Sequence, residues 1–86
     1  MGPATPARLL VVEDDAALVE ALCDQLQGLG HTAVAARSVA DGLALLGREA
    51  FDVALLDLML PDGSGIDILH RIVDEDLPTC GRVATR

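Results

Sequence analysis

Two short apolar runs that stop abruptly at carboxylates constrain this chain more than any other feature. Arg8-Leu9-Leu10-Val11-Val12 runs into Glu13-Asp14-Asp15, and Val53-Ala54-Leu55-Leu56 runs into Asp57. Each run is continuous rather than alternating, the pattern of a strand buried on both faces of a parallel sheet. A parallel sheet needs long crossovers, and the segments between the runs have helical periodicity.

Asp15 is placed to cap a first helix, in which Leu18, Leu22, Leu26 and Leu29 recur at helical spacing and Gly28 and Gly30 supply the stop. A second strand is expected over 31–36. Ser38 with Asp41 three residues on forms a capping-box pattern, opening a helix through Val39, Leu43, Leu46 and Ala50. Residues 58–65 read as a loop punctuated by Pro61, Asp62-Gly63 and Gly65. Ile66, Leu69, Ile72 and Val73 then mark a third helix, which closes in the acidic stretch Asp74-Glu75-Asp76, and Arg82-Val83-Ala84-Thr85 carries a weak strand signal. The order β-α-β-α-β-α with a strand stub predicts an α/β fold with right-handed crossovers.

Eighty-six residues allow one small domain. The hydrophobic half of the chain is almost all aliphatic, with Phe51 the single aromatic residue. No apolar run is long enough for a membrane span or a signal-peptide core, so a soluble cytoplasmic protein without a membrane partner is expected. The net charge of -8, with all six basic residues arginine, disfavours direct binding to nucleic acid or anionic lipid and favours divalent cations and basic protein surfaces. Cys23 and Cys80 lack metal-site or redox spacing and read as incidental thiols. His31 has no second ligand nearby, and His70 reads as a partly exposed helical histidine.

In open α/β sheets the working site lies beyond the carboxyl ends of the strands. Adjacent parallel strands would bring Glu13, Asp14 and Asp57 together there. Like charges about 4 Å apart repel by roughly 4 kcal/mol at an effective dielectric near 20. Such a cluster needs raised pKa values or a bound cation, and Mg²⁺, a hard ion with a preference for oxygen, suits it. Spacing alone leaves two readings open: a shared cation site, or solvated loop charges and helix caps. Capping already accounts for Asp15.

At this point the sequence resembles a known family. Leu9-Leu10-Val11-Val12-Glu13-Asp14-Asp15 is similar to the opening of response-regulator receiver domains, and Leu55-Leu56-Asp57-Leu58-Met59-Leu60-Pro61-Asp62-Gly63-Ser64-Gly65 to their phosphorylation loop. Gly30-His31-Thr32-Ala33-Val34 and Ala40-Asp41-Gly42-Leu43-Ala44-Leu45-Leu46 resemble the second strand and second helix. The resemblance implies the flavodoxin-like parallel sheet, family strand order 2-1-3-4-5, cut here to three βα units in the order 2-1-3 plus a fourth-strand stub. With no fourth strand formed, the third would be a sheet edge. Residues 1–7 are then a lead-in and 8–86 an incomplete receiver domain.

The resemblance further implies that Asp57 is the phosphoacceptor, taking phosphate from a sensor histidine kinase or phosphotransfer protein. Glu13, Asp14 and Asp57, with the Met59 backbone carbonyl, would hold Mg²⁺. Pro61 and Gly65 would shape the loop. The domain would be a regulatory phosphoacceptor rather than an enzyme, with receiver–receiver association as a second contact. The family's phosphate-contacting lysine belongs to a fifth strand, and the chain contains no lysine. Thr85 is the candidate for the hydroxyl residue that follows the fourth strand. These departures keep an alternative in view: a switching-defective receiver that only binds partners or is inert. A third reading, an aspartate-nucleophile phosphohydrolase of the haloacid dehalogenase type, is disfavoured because Met59 stands where that class carries an acid.

Overall fold

The computed structural model describes residues 6–74 and the backbone of residues 83–85. The remaining lead-in, the Glu75-Asp76 stretch and Cys80 lie outside the described residues. In chain order the elements are β1 (Arg8–Val12), α1 (Ala16–Gly28), β2 (Thr32–Ala36), α2 (Val39–Arg48), β3 (Val53–Leu56), α3 (Gly65–Asp74) and β4 (Val83–Thr85). The strands form one parallel sheet in the order β2-β1-β3-β4. This is the flavodoxin-like order expected of the chain, with one correction. β3 is not an edge, because the short tail strand pairs with it from Ala54↔Val83 to Leu56↔Thr85.

The side-chain period of two sorts the sheet into two faces. Leu10, Val12, Ala36, Ala54 and Leu56 join Val39 and Leu46 of α2, Ile68 and Ile72 of α3, and Phe51 in one buried core. Leu9, Val11, Val53 and Leu55 alternate onto the opposite face. That face is covered less completely: α1 has no buried residue, and Val53 and Leu55 are only half-buried. Leu29, expected on the apolar stripe of α1, is 73% exposed, as it lies past the helix end.

The ends of the helices follow local chemistry. Asp15 caps α1, its Oδ1 accepting from the N–H groups of Ala17 and Leu18. Gly28 is still helical, and the stop is Gly30 at φ 91°. There the Gly30 N–H donates to Gln27 O and the His31 N–H to Leu26 O, a Schellman closure that needs a left-handed residue. Ala50 lies beyond the end of α2 and is exposed.

The phase of α3 differs from the sequence reading. Its buried residues are Gly65, Ile68 and Ile72, whereas Ile66 and Val73 are 43% and 61% exposed. At the amino end of the sheet, Arg8 lies over the Phe51 ring, 5.5 Å from its centroid, pairs with Glu49 and donates to Ala50 O. Among the described residues no helix is long and apolar enough to cross a membrane.

Candidate metal centre

The two carboxylate-ended strands are neighbours, as their sequences required. Leu9–Val12 of β1 pair in register with Val53–Leu56 of β3, so Glu13 and Asp57 each occupy the position after a paired residue. The ladder continues one step past the strands: the Glu13 N–H donates to Ala36 O at 3.0 Å, and the Asp57 N–H to Val12 O at 2.9 Å. Carboxylate oxygens of Glu13, Asp14 and Asp57 all lie within 4.8 Å of one another. Together with Asp15, Leu58 and Met59 they line an open cavity of about 700 Å³ at the carboxyl end of the sheet.

The three acids are not equivalent. Glu13 is 4% exposed and its Oε1 accepts from the Asp15 N–H at 3.2 Å, while Asp14 is exposed and Asp57 half-buried. The Asp57 backbone is held at both ends, since its carbonyl accepts from the Gly65 N–H at 2.8 Å. The side chain is held too: Oδ1 accepts from the Met59 N–H at 3.0 Å. Met59 therefore reaches the site through its backbone, and its side chain, 82% exposed, faces solvent.

The donor set fits Mg²⁺. All three side chains offer hard anionic oxygens, and one of them is buried, where a negative charge needs compensation. Two ligands of a single Mg²⁺ lie at most about 4.2 Å apart, twice the usual bond length. The 4.8 Å span of the cluster exceeds this by an amount that small side-chain rotations close.

Sequence reasoning missed one member of this region. Asp62 sits in the turn after Asp57, closed by reciprocal bonds between Leu60 and Gly63. Its carboxylate leaves the turn and accepts from the N–H groups of Val39 at 2.8 Å and Ala40 at 3.0 Å, the first turn of α2. The N–H of Val39, and then that of Ala40, hold the Asp62 carboxyl below the usual carboxylate range. Ser38 completes the cap, its hydroxyl accepting from the Asp41 N–H, as the capping-box pattern suggested.

Asp67 plays the corresponding local role at α3, accepting from the Ser64 N–H. Arg37, at the end of β2, donates to Asp14 O at 3.1 Å. His70 is exposed, and the His31 ring accepts from the Ala7 N–H, which gives it a structural partner. Cys23 is half-buried, and burial followed by the adjacent Asp24 raises its thiol pKa, which makes it a poor nucleophile. Thr85 reaches the same end of the sheet, where its backbone pairs with Leu56, the residue before Asp57.

Comparison with known proteins gives a consistent result. The family described as response regulator receiver domain matches residues 9–84. The transcriptional regulatory protein DltR of Streptococcus agalactiae is 39% identical over 72 residues, covering 84% of this chain and 32% of that protein. The chain thus spans about a third of that relative's length. The non-phosphorylated HemR receiver domain from Leptospira biflexa superposes with a TM-score of 0.76 at 39% identity, over 85% of this chain and 60% of that one. The MaeR response regulator bound to beryllium trifluoride superposes with a TM-score of 0.81 at 28% identity, over 92% of this chain and 65% of that one.

Proposed function

The chain belongs to the response regulator receiver domain family, and from that premise we propose that Asp57 accepts a phosphoryl group from a phosphohistidine on a sensor kinase or phosphotransfer protein. The observation that carries this reading is the meeting of Glu13, Asp14 and Asp57 at the carboxyl ends of adjacent parallel strands. In the proposed step a carboxylate oxygen of Asp57 forms a bond to phosphorus. The phosphorus–nitrogen bond to the donor imidazole breaks, and its electron pair stays on the ring nitrogen.

The Asp57 backbone, bonded to Val12 and Gly65, keeps the carboxylate at the mouth of the cavity. With Met59 holding Oδ1, the second oxygen is left to attack. Glu13, Asp14, Asp57 and the Met59 carbonyl would hold Mg²⁺, which when bound neutralises charge on the transferred phosphoryl oxygens. The relative bound to beryllium trifluoride supports this chemistry, since that ion has the shape and charge of a phosphoryl group. With a kinase as donor the exchange is cytoplasmic. The domain so read is a regulatory acceptor, and its covalent state is its output.

Mass spectrometry of the chain treated with acetyl phosphate and Mg²⁺ tests the proposal. A single added phosphoryl group is expected, lost in Asp57→Asn. Modification of Asp57→Asn at undiminished yield overturns the assignment.

A further inference from the structure

Asp62 does not line the cavity at Asp57, yet its carboxylate joins the acceptor loop to a helix 23 residues earlier. The loop is closed on itself at two places. The Gly65 N–H bonds Asp57 O, and Leu60 and Gly63 bond each other across the turn. Leu60 packs this closed unit against the core, and the Asp62 carboxylate, seated on the Val39 and Ala40 N–H groups, bonds it to the start of α2. Only Leu58 and Met59 lie between Asp57 and the turn, and Met59 is the residue whose N–H sets the orientation of the Asp57 carboxylate. A shift of the turn therefore moves Met59, and with it both the Asp57 oxygen and the carbonyl expected to bind the cation.

We propose that Asp62 is a positioning residue for the acceptor site: by tethering the turn to the amino end of α2 it holds Met59, and through Met59 the Asp57 carboxylate, in the geometry that binds Mg²⁺ and accepts phosphate. The inference rests on the proposed role of Asp57. The tether also makes α2 responsive to the site, since a turn displaced by events at Asp57 pulls on the helix end it caps. Because donors in the first turn of α2 favour the charged carboxylate, Asp62 is ionised at neutral pH, where the tether is strongest.

Ser38 supplies the control that separates positioning from simple helix capping. Its hydroxyl caps the same first turn through the Asp41 N–H but makes no bond to the acceptor loop. The experiment compares Asp62→Ala, Asp62→Asn and Ser38→Ala with the unsubstituted 86-residue chain. Mg²⁺ affinity is measured by calorimetric titration, and the rate of phosphorylation by acetyl phosphate is measured over a range of Mg²⁺ concentrations. Loss of a direct hydrogen-bond partner of a metal ligand costs about 10–100-fold in affinity; Asp62 acts one step further out, through Met59, so the lower end of that range is expected.

The expected result is Mg²⁺ binding weakened about tenfold in Asp62→Ala, with a lower maximal rate. Asp62→Asn, which keeps one acceptor oxygen, should lie between, and Ser38→Ala should match the unsubstituted chain. Equal effects from Asp62→Ala and Ser38→Ala, or no effect from either, overturn the inference and leave the role of Asp57 standing. If the unsubstituted chain neither binds Mg²⁺ nor takes up phosphate, the reading of the pocket falls, and this inference with it.

Discussion

Gly65 lies directly against the backbone of Asp57: its N–H donates to the Asp57 carbonyl at 2.8 Å, and a Cβ at position 65 would sit 2.3 Å from that same oxygen. The contact is possible only for glycine, because a side chain would also meet the Leu56 Cβ at 2.9 Å. The Leu56 Cβ belongs to β3, and the Asp57 carbonyl to the residue just past it, whose N–H is bonded to Val12 O, so neither group moves aside easily.

Gly65→Ala should therefore lower stability by about 1–3 kcal/mol, the usual cost of overpacking. It should also reduce phosphorylation of Asp57, since the strand end and the start of α3 must separate to admit the methyl group. Urea melts and a phosphorylation assay on the same sample check both effects. An unchanged melt with full phosphorylation would show that the two backbones are not in contact.

If Glu13, Asp14 and Asp57 hold Mg²⁺ as proposed, stability should depend on the cation. Mg²⁺ at about 100 times its dissociation constant should add roughly 2.7 kcal/mol. Asp57→Asn removes one of three neighbouring negative charges, so the metal-free variant should gain on the order of 1 kcal/mol. The same variant should respond less to added Mg²⁺. Thermal melts of both proteins, with and without the ion, measure the four states; identical responses would mean that the carboxylates do not share a cation.

Asp62 should give the domain a recognisable response to acid. Its folded-state pKa is below the ordinary value of 3.8, so its contribution to stability is present above that value and is lost as pH falls through the lower folded pKa. Asp62→Ala should be less stable than the unsubstituted chain at neutral pH. The difference should shrink only well into the acid range, below 3.8. Urea melts of the two proteins at matched pH isolate Asp62, because the other carboxylates are common to both. A gap that closes near neutrality would assign the effect to another group.

The rotation of α3 can be tested by a pair of substitutions. Ile68 is fully buried in the shared core, whereas Ile66 is 43% exposed. Ile68→Ala should cost about 2–5 kcal/mol, and Ile66→Ala well under half as much. Equal losses in denaturant melts would place both residues in the core and contradict the observed phase.

How much of this was legible in the sequence depends on the range of each interaction. β1, β3 and their terminal acids were readable because four consecutive apolar residues followed by a carboxylate is a local pattern. The caps at Asp15 and Ser38 act within three residues and were equally visible. α3 was misphased because its apolar residues, Ile66, Ile68, Leu69, Ile72 and Val73, fit two overlapping stripes. The choice between them is made by Gly65 packing on Asp57, a tertiary contact. Asp62 looked like an ordinary turn residue because its partners, Val39 and Ala40, are backbone groups more than twenty residues away and leave no side-chain signature. Val83–Thr85 is so short that its sequence carried only a weak strand signal, and it forms a strand through pairing with β3.

The double pairing of β3 has a mechanical consequence. Between Ala54 and Leu56 the strand is bonded to β1 along one edge and to β4 along the other, so it behaves as a beam clamped on both sides with Asp57 at its tip. A clamped beam does not recoil. Strain introduced at the tip would have to shear two ladders at once to relax backwards, so it passes into the loop ahead, where it meets the Asp62 tether to α2. Amide protons of Leu55 and Leu56 should accordingly be among the slowest in the molecule to exchange with solvent, and those of Leu58 among the faster ones. Asp57, the proposed acceptor, thus stands where a strand bonded along both edges gives way to a loop, and movement that begins there is passed forward toward the turn and α2.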